Sequence, residues 1–556
     1  MEVSVESGFS SSSGIYYSKW KSPVLPQTLH LSLPSFLLSQ ISPKTLDKPA
    51  FIDSKACKSI TYGEIRSLTT SIAHALHSMG ITKGDVVLIV SPNFLYYPLL
   101  VLGVMSLGAI ISTANPLNTS LELDSQILDT NPKLVFTTHV LKSKLDNGHV
   151  HGQGHGLSTN PILILVEDFI DELLKSKPRL DTYLDTTSIN QDDIAALMYS
   201  SGTTGKSKSV VCLHRNFIAM SCLLKHVWEA EEGAVDDIYL CVLPLFHMFG
   251  LSMFMCGTLA IQATTVVLNK YSLEDMLLSV EKYKVTRLPV VPPMIVQLVR
   301  LEDGVKGYDL ASVKEVICSG APLGRAHMDR FSKCYPKMRL SQLYGLTETC
   351  GPITLCNGFN GMIHDSIGGL IPYMEAKIVD VRTGKPLPPL ECGELCVRGP
   401  PVMQGYYKNP NATSLAIDKE GWLQTGDLCF IDKFGLVYIV DRMKELIKYK
   451  AYQVAPAELE EVLLLHPEII EAAVVPYPDE IAGEIPMACV VKKGLSEVEE
   501  DDIISFVANK VAPYKKIRKV VFVESIPKTA SGKILRRHLK AKVLTTHQRC
   551  QISAKL

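Results

Sequence analysis

Between Phe51 and Leu165 the apolar positions keep changing period. They recur at helical spacing over 62–78, run unbroken over 86–90, and return to helical spacing over 97–105. Short apolar runs at 109–112 and 134–137 then flank another helical stretch, 120–128. Helices interleaved with short apolar strands predict a mostly parallel sheet with helices on its faces, because a parallel crossover needs a helix's length of chain to bring the next strand back to the same end. The rhythm resumes beyond Asp193, with strands expected near 238–243, 264–268, 287–290 and 313–318 and helices between them.

Past Pro352 the punctuation changes. Short β segments at 427–431 and 436–440 flank the turn Asp432-Lys433-Phe434-Gly435 and predict a small antiparallel unit. Beyond Arg442 comes a compact block: helix 456–465 with Pro456 in its first turn, strands 472–475 and 486–491, helix 497–511, strand 518–523 and helix 534–543. The block predicts a separate domain, hinged on Asp441-Arg442-Met443-Lys444. The expected fold is α/β: a large N-terminal domain of βαβ-type subdomains plus a small β unit, then a small mobile α+β C-terminal domain.

Two stretches without formal charge, 91–121 and 238–269, could be called membrane-spanning on hydropathy alone. Pro98, Gly103, Gly108 and Asn115 interrupt the first; Pro244, His247, Gly250 and Gln262 interrupt the second. A buried helix and a buried strand are expected in each. At 556 residues the chain exceeds a single core, and 46% hydrophobic with 20% charged residues is a globular composition that excludes disorder. Lys+Arg 56 against Asp+Glu 57 leaves a net charge of −1, so no general field attracts nucleic acid or an anionic membrane, and any anion must be held by a local site. The 14 Cys include no CxxC pair and are expected as buried, reduced thiols. With Glu2, Glu6 and the run Ser10 to Ser13, the N-terminus lacks the pattern of a secretory signal and is expected to be a flexible tail over 1–25. His149, His151 and His155 lie among glycines without accompanying Cys or carboxylates, which suits a solvated loop better than a metal site.

The strongest local signal is Tyr199-Ser200-Ser201-Gly202-Thr203-Thr204-Gly205-Lys206-Ser207-Lys208. Glycines let the backbone turn its N–H groups inward, hydroxyls add donors and lysines add charge, a combination suited to polyphosphate. A flexible linker with two surface lysines is the plainer alternative. The Walker pattern is missed by one residue, since Ser200 stands where its first Gly belongs. An apolar run (194–199) enters the loop and a β-branched run (209–213) leaves it, so strand, loop, strand is expected and no helix dipole faces the phosphates.

The loop resembles the [ST]SGTTGxPKG motif of the adenylate-forming superfamily of acyl-CoA synthetases, 4-coumarate-CoA ligases and firefly luciferase. Further matches follow in order: Pro244 to His247, Cys318 to Leu323, Gln342 to Glu348, Gly421 to Asp427, Asp441-Arg442 to Glu460, and Pro527 to Lys533. The resemblance covers residues 25 to 545, and Lys444 to Lys450 looks most like plant 4-coumarate-CoA-ligase-like enzymes. It implies an adenylation (AMP-binding) domain over 26–441, a mobile C-terminal domain over 442–545 and a tail over 546–556.

That family joins a carboxylate to the α-phosphate of ATP, releases pyrophosphate, then passes the acyl group to a thiol. By resemblance, Ser200, Ser201, Gly202, Thr203, Thr204, Gly205 and Lys208 hold the β- and γ-phosphates, Thr347 donates to the α-phosphate, and Glu348 holds Mg²⁺. Gly320, Ala321, Gln342, Leu343 and Tyr344 complete the nucleotide site, with Tyr344 offering its face to adenine, and Asp427 and Arg442 meet the ribose. Lys533 would reach over from the small domain to bridge carboxylate and α-phosphate. His247, otherwise a core histidine, would orient the acyl group. For the thiol step the small domain would swing about Asp441 to Lys444, withdrawing Lys533 and presenting the strip from Lys448 to Gln453, with Lys450 and Ala451 against CoA.

Some positions depart from the pattern. Ser207 and Ser209 stand where Pro and Gly are usual, and Ser319 occupies a Gly position. Ala451 replaces a glycine expected to line the pantetheine tunnel, which would hinder thiol transfer. Leu343 replaces a small residue and would narrow an acyl pocket walled by Phe249, Met253 and Gly320. No cation is evident there for a second carboxylate. The resemblance implies an ATP-dependent acid:CoA ligase with ATP, Mg²⁺ and CoA, acting as a monomer without nucleic acid or stable membrane insertion. The substrate is a hydroxycinnamate- or benzoate-like acid; the alternatives are a fatty or oxylipin acid, or a luciferase-like acceptor. A noncatalytic nucleotide-binding relative and a Walker-type motor are rivals from other classes. The ending Ser553-Ala554-Lys555-Leu556 is close to a Ser-Lys-Leu peroxisomal address, which implies an import receptor as partner and peroxisomal rather than cytoplasmic residence.

Overall fold

Helix Tyr62–Ser78 shows how pattern becomes structure: the Thr61 N–H donates to the Glu64 carboxylate at 2.8 Å, closing its first turn, while Ile65, Ile72 and Leu76 share the buried face. The computed structural model describes residues 3–146, 161–175, 188–200, 208–231, 233–300, 307–356, 366–449, 452–479, 482–494, 496–511, 513–529 and 532–543.

The expected alternation builds two sheets. In the seven-stranded one, Ile162–Leu165, Leu134–Thr137, Val86–Val90, Ile110–Ala114 and Ile194–Ser200 run parallel, and Lys208–Leu213 and Gly405–Tyr406 close one edge antiparallel. The nine-stranded sheet has a parallel centre of Pro49–Asp53, Thr264–Val267, Ile238–Cys241, Arg287–Val290, Glu315–Cys318 and Arg339–Leu346. Gly351–Leu355 and Gly369–Leu370 extend it antiparallel, so the separate β unit begins only at Glu375. Both uncharged stretches resolve into helix and strand, the second passing through a π-helical turn at Ser252–Gly257. Among the described residues no helix is long and apolar enough to cross a membrane.

The expected loose tail is a correction. Phe9–Ser10 and Ile15–Tyr17 form a hairpin that pairs with Glu375–Val379, completing a six-stranded antiparallel sheet with Gly393–Arg398, Leu423–Ile431 and Val437–Arg442. Tyr16 is buried, its hydroxyl donating to the Leu387 carbonyl. The Ser/Gly content that suggests looseness is turn chemistry instead: the Gly14 N–H donates to the Ser10 carbonyl at 2.8 Å, and Gly14 adopts a φ of +66°.

The large apolar core draws on residues up to Val437, and two smaller clusters begin at Ile447 and Ala473. The small domain folds around Ile469–Asp479 and Gly483–Lys492, antiparallel, with Lys519–Phe522 parallel to the latter. Its helix Glu500–Ala508 is shorter than the pattern suggested, because Glu499 is its N-cap. Between the lobes, the Asp441 carboxylate accepts from the N–H groups of Arg442 (2.6 Å) and of Ala457 (2.9 Å), which lies at the start of helix Pro456–Leu464.

Candidate active site

The carboxyl ends of the parallel strands open onto two adjoining cavities, of about 480 and 690 Å³. Lys208, His247, Phe249, Gly320 and Tyr406 line both. Open α/β sheets place their ligands at this end of the strands, where the loops diverge and backbone groups are left without ladder partners.

Around the smaller cavity, strands Ile194–Ser200 and Lys208–Leu213 pair antiparallel, with Lys208 opposite Ser200. The expected loop is thus slung between two strands, and the next helix starts at His214. The Ser200 hydroxyl is buried at the cavity wall with no hydrogen-bond partner among the described residues. A buried donor without a partner is costly unless a ligand supplies one. Thr347 and Glu348, on the turn after Arg339–Leu346, line the same cavity, and the Tyr406 hydroxyl donates to the Glu348 carboxylate at 2.9 Å.

Just behind the wall made by Thr425, Gly426 and Arg442 lies the buried carboxylate of Asp427. Arg442 Nε meets it at 2.9 Å and the Tyr344 hydroxyl donates to it at 2.6 Å. Burial nevertheless pushes the Asp427 carboxyl above its ordinary range, against the pull of Arg442, Tyr344 and Lys533. Glu394, on the same cavity, is likewise pushed up by burial.

Lys533 lines this cavity too. It is carried by the turn in which the Gly532 N–H donates to the Thr529 carbonyl (2.8 Å) and the Lys533 N–H to the Thr529 hydroxyl (3.1 Å). Gly532, at φ +82°, lies against the Pro293 ring of the large lobe so closely that an added Cβ would sit 2.5 Å from Pro293 Cδ. Burial, then the nearby Arg442 charge, holds the Lys533 ammonium below the usual lysine range, with Glu445 and Asp427 opposing.

The larger cavity is walled on one side by Leu243, Phe246, Phe249, Val291 and Met294 and on the other by Asn115, Glu122, Gln126 and Asp129. The half-buried His247 Nδ1 accepts from the Phe249 N–H at 3.3 Å, capping the short helix Met248–Leu251, and burial lowers its pKa so that the ring is neutral. Thr529, from the turn that carries Lys533, reaches this second cavity.

Residues 39–407 match the AMP-binding enzyme family and residues 458–533 its C-terminal domain. This chain belongs to the AMP-binding enzyme family. Among its relatives, peroxisomal OPC-8:0-CoA ligase 1 of Arabidopsis thaliana is 43% identical over 98% of this chain and 99% of that protein. The 4-coumarate–CoA ligase-like 3 protein of the same plant is 42% identical over 97% of each. Among solved structures, ATP-bound MatB from Rhodopseudomonas palustris superposes with a TM-score of 0.82 at 25% identity, covering 92% of this chain and 99% of that one.

Within this AMP-binding enzyme, Ser200, Lys208, Gly320, Thr347, Glu348, Arg442, Lys444 and Lys533 meet at one cavity, and His247 and Phe249 connect it to the next. Other expected members sit elsewhere. Gln342, Leu343 and Tyr344 lie on a central strand with both faces covered: Gln342 donates to the Ser366 carbonyl, Tyr344 holds Asp427, and Leu343 packs in the core. Tyr344 thus holds the Asp427 carboxylate, and neither Tyr344 nor Leu343 lines either cavity. Met253, in the π-helical turn, is a core residue rather than a pocket wall, and Ala321 lies off both cavities. Lys448 is exposed, paired with Gln453 in a hairpin, and lines neither cavity. Ser201, Gly202, Thr203, Thr204, Gly205, Lys450, Ala451, the histidine tract at 149–155 and the terminal 553–556 lie outside the described residues.

Tyr406, Glu394, Thr529 and the polar wall Asn115, Glu122, Gln126 and Asp129 are among the lining residues that sequence reasoning missed. The aromatic pair Tyr406-Tyr407 after Gly405, ahead of the turn at Asn409-Pro410, was the available signal. Among the described residues no group of three or more His, Cys, Asp or Glu could hold a metal. A single carboxylate, Glu348, on a cavity of about 480 Å³ still fits Mg²⁺, which keeps most of its waters and takes phosphate oxygens rather than an all-protein cage.

Proposed function

We propose that this enzyme is an ATP-dependent carboxylic acid:CoA ligase working through an acyl-adenylate. The observation that carries this reading is that Lys533, from the C-terminal lobe, lines the same cavity as Ser200, Lys208, Thr347 and Glu348 of the large lobe. An acid's carboxylate attacks the α-phosphorus of ATP and pyrophosphate leaves; the CoA thiol then attacks the acyl carbon and AMP leaves. The first step brings an anion to a polyanion, so the protein must supply positive charge and donors in a fixed arrangement. Ser200 and Lys208 hold the outer phosphates with Ser201, Gly202, Thr203, Thr204 and Gly205, and Thr347 donates to the α-phosphate. Asp427 and Arg442 take the ribose, and Lys533 spans carboxylate and α-phosphate. Glu348 would hold Mg²⁺, which supplies charge neutralisation at the phosphates. Neutral His247 orients the acid between the two cavities.

Lys448 and Gln453 belong to the second step, reached by a swing about Asp441 to Lys444 that carries Lys450 and Ala451 to CoA. Lys448 lies away from both cavities while Lys533 occupies the first, which supports a change of face between half-reactions.

The acid is a hydroxycinnamate- or benzoate-like monocarboxylate. A fatty or oxylipin acid is the second reading, favoured by the volume of about 690 Å³ beyond His247 and by a Leu343 that leaves it open. Peroxisomal residence is supported by the name of the Arabidopsis relative. The deciding experiment offers a panel of free acids with ATP, Mg²⁺ and CoA and reads thioesters by mass spectrometry. ATP turnover without any acid, and no thioester from any, would overturn the proposal.

A further inference from the structure

Tyr406 touches two of the charged groups that line the smaller cavity, Glu348 and Lys208. Its hydroxyl donates to Glu348 Oε1 at 2.9 Å, and Lys208 Nζ stands 4.7 Å above its ring centroid. The segment bearing it is pinned on every side. The Met403 N–H donates to the Glu348 carbonyl (2.8 Å), the Gln404 N–H to Val211 (3.1 Å), the Tyr407 N–H to Ser209 (2.8 Å) and the Tyr406 N–H to the Thr413 hydroxyl (2.9 Å). No ion pair joins Lys208 to Glu348, although both line one cavity, and Glu348 Oε2 has no partner among the described residues.

We infer that Tyr406 is a positioning residue that keeps Glu348 and Lys208 apart and separately aimed while the nucleotide is absent. The inference rests on the reading that gives Glu348 to the metal and Lys208 to phosphate. Opposite charges in a half-dry cleft attract strongly. Paired with each other, they would cancel the two groups that must receive Mg²⁺ and polyphosphate. The ring offers the ammonium a π face instead, and the phenol fixes the carboxylate by one oxygen and leaves the other for the metal.

The test measures Mn²⁺ binding by electron paramagnetic resonance with a non-hydrolysable ATP analogue, and analogue binding without metal by calorimetry. Tyr406→Phe keeps the ring and loses the hydroxyl; it should weaken Mn²⁺ binding about tenfold and leave metal-free analogue binding little changed. Tyr406→Leu should weaken metal-free analogue binding as well, because Lys208 is then captured by Glu348, and adding Glu348→Gln should restore it. An unchanged Mn²⁺ affinity in Tyr406→Phe, with Glu348→Gln abolishing it, overturns the inference alone. Failure of Glu348→Gln to restore nucleotide binding in the Leu variant overturns the spacer role. Retained Mn²⁺ affinity in Glu348→Gln overturns the metal assignment itself. Circular dichroism melting of each variant separates these outcomes from misfolding.

Discussion

Four neighbouring strands, Ile238–Cys241, Arg287–Val290, Glu315–Cys318 and Arg339–Leu346, start among charges and finish at the cavities. At their amino ends Arg287, Glu315 and Arg339 stand in register. Arg287 bonds to Asp237 at 2.8 Å and also to Glu231 and Glu315, Arg339 grips both Glu315 oxygens at 2.9 Å, and Lys314 reaches Asp237 at 3.0 Å. Two buried carboxylates make the contrast plain. Glu315 is held below its ordinary range because Arg339 and Arg287 outweigh the effect of burial, whereas burial wins at Asp427 despite Arg442. Glu315 sits inside an ion-pair network at one end of the nine-stranded sheet, whereas Asp427, on the neighbouring six-stranded sheet, meets the other end through Tyr344 with Arg442 as its ion-pair partner.

The comparison breaks most sharply if the satisfied end is cut. Arg287→Met should cost up to about 3–5 kcal/mol in urea unfolding, since it removes the cation that Asp237 and Glu315 share and leaves the first to Lys314 and the second to Arg339 alone, while the surviving folded enzyme keeps its KM for ATP. Next in size, Lys533→Ala should lower acid-dependent ATP–pyrophosphate exchange by about 10²–10³-fold, with thiol transfer from supplied acyl-adenylate spared. Equal loss of both half-reactions would remove the idea of two faces. Ser200→Ala should raise the KM for ATP about tenfold, and it should stabilise the free protein, by up to about 1–3 kcal/mol, because the buried hydroxyl bonds to nothing described there.

The smallest effects are in pH. Glu315 titrates lower when folded, so its contribution is whole above the ordinary carboxyl range and is lost as pH falls through the folded value; Glu315→Gln should flatten the acid limb of stability. Lys533 titrates lower when folded as well, but as a cation. The unfolded chain then binds more protons, stability rises with pH across the window below the ordinary lysine value, and Lys533→Met should remove that slope. The adenylation rate should fall on the alkaline side at a pH below that of a free lysine, measured by exchange.

The strands and helices of the large lobe were legible because period alone separates them: 62–78, 86–90 and 287–290 coincide with the observed elements. The N-terminal hairpin was not, since its partner Glu375–Val379 lies far away in sequence and local composition suggested looseness. Ser200, Lys208, Thr347 and Glu348, which line the smaller cavity, were legible because they cluster in motifs. Motif order, however, does not say which side of a strand a residue takes, so Tyr344 and Leu343 were placed in pockets they do not line. Tyr406 escaped because its role depends on two partners from separate strands and turns.

The lobes meet at Gly532 through a bare α-carbon laid against a proline ring, with Arg300 reaching Ile470 at 3.2 Å nearby. On the proposed swing this contact is a latch, since it registers the amine to within a methyl group when shut. A single added methyl, Gly532→Ala, would serve as a doorstop, holding the lobes ajar and tilting the catalytic cycle toward its second half.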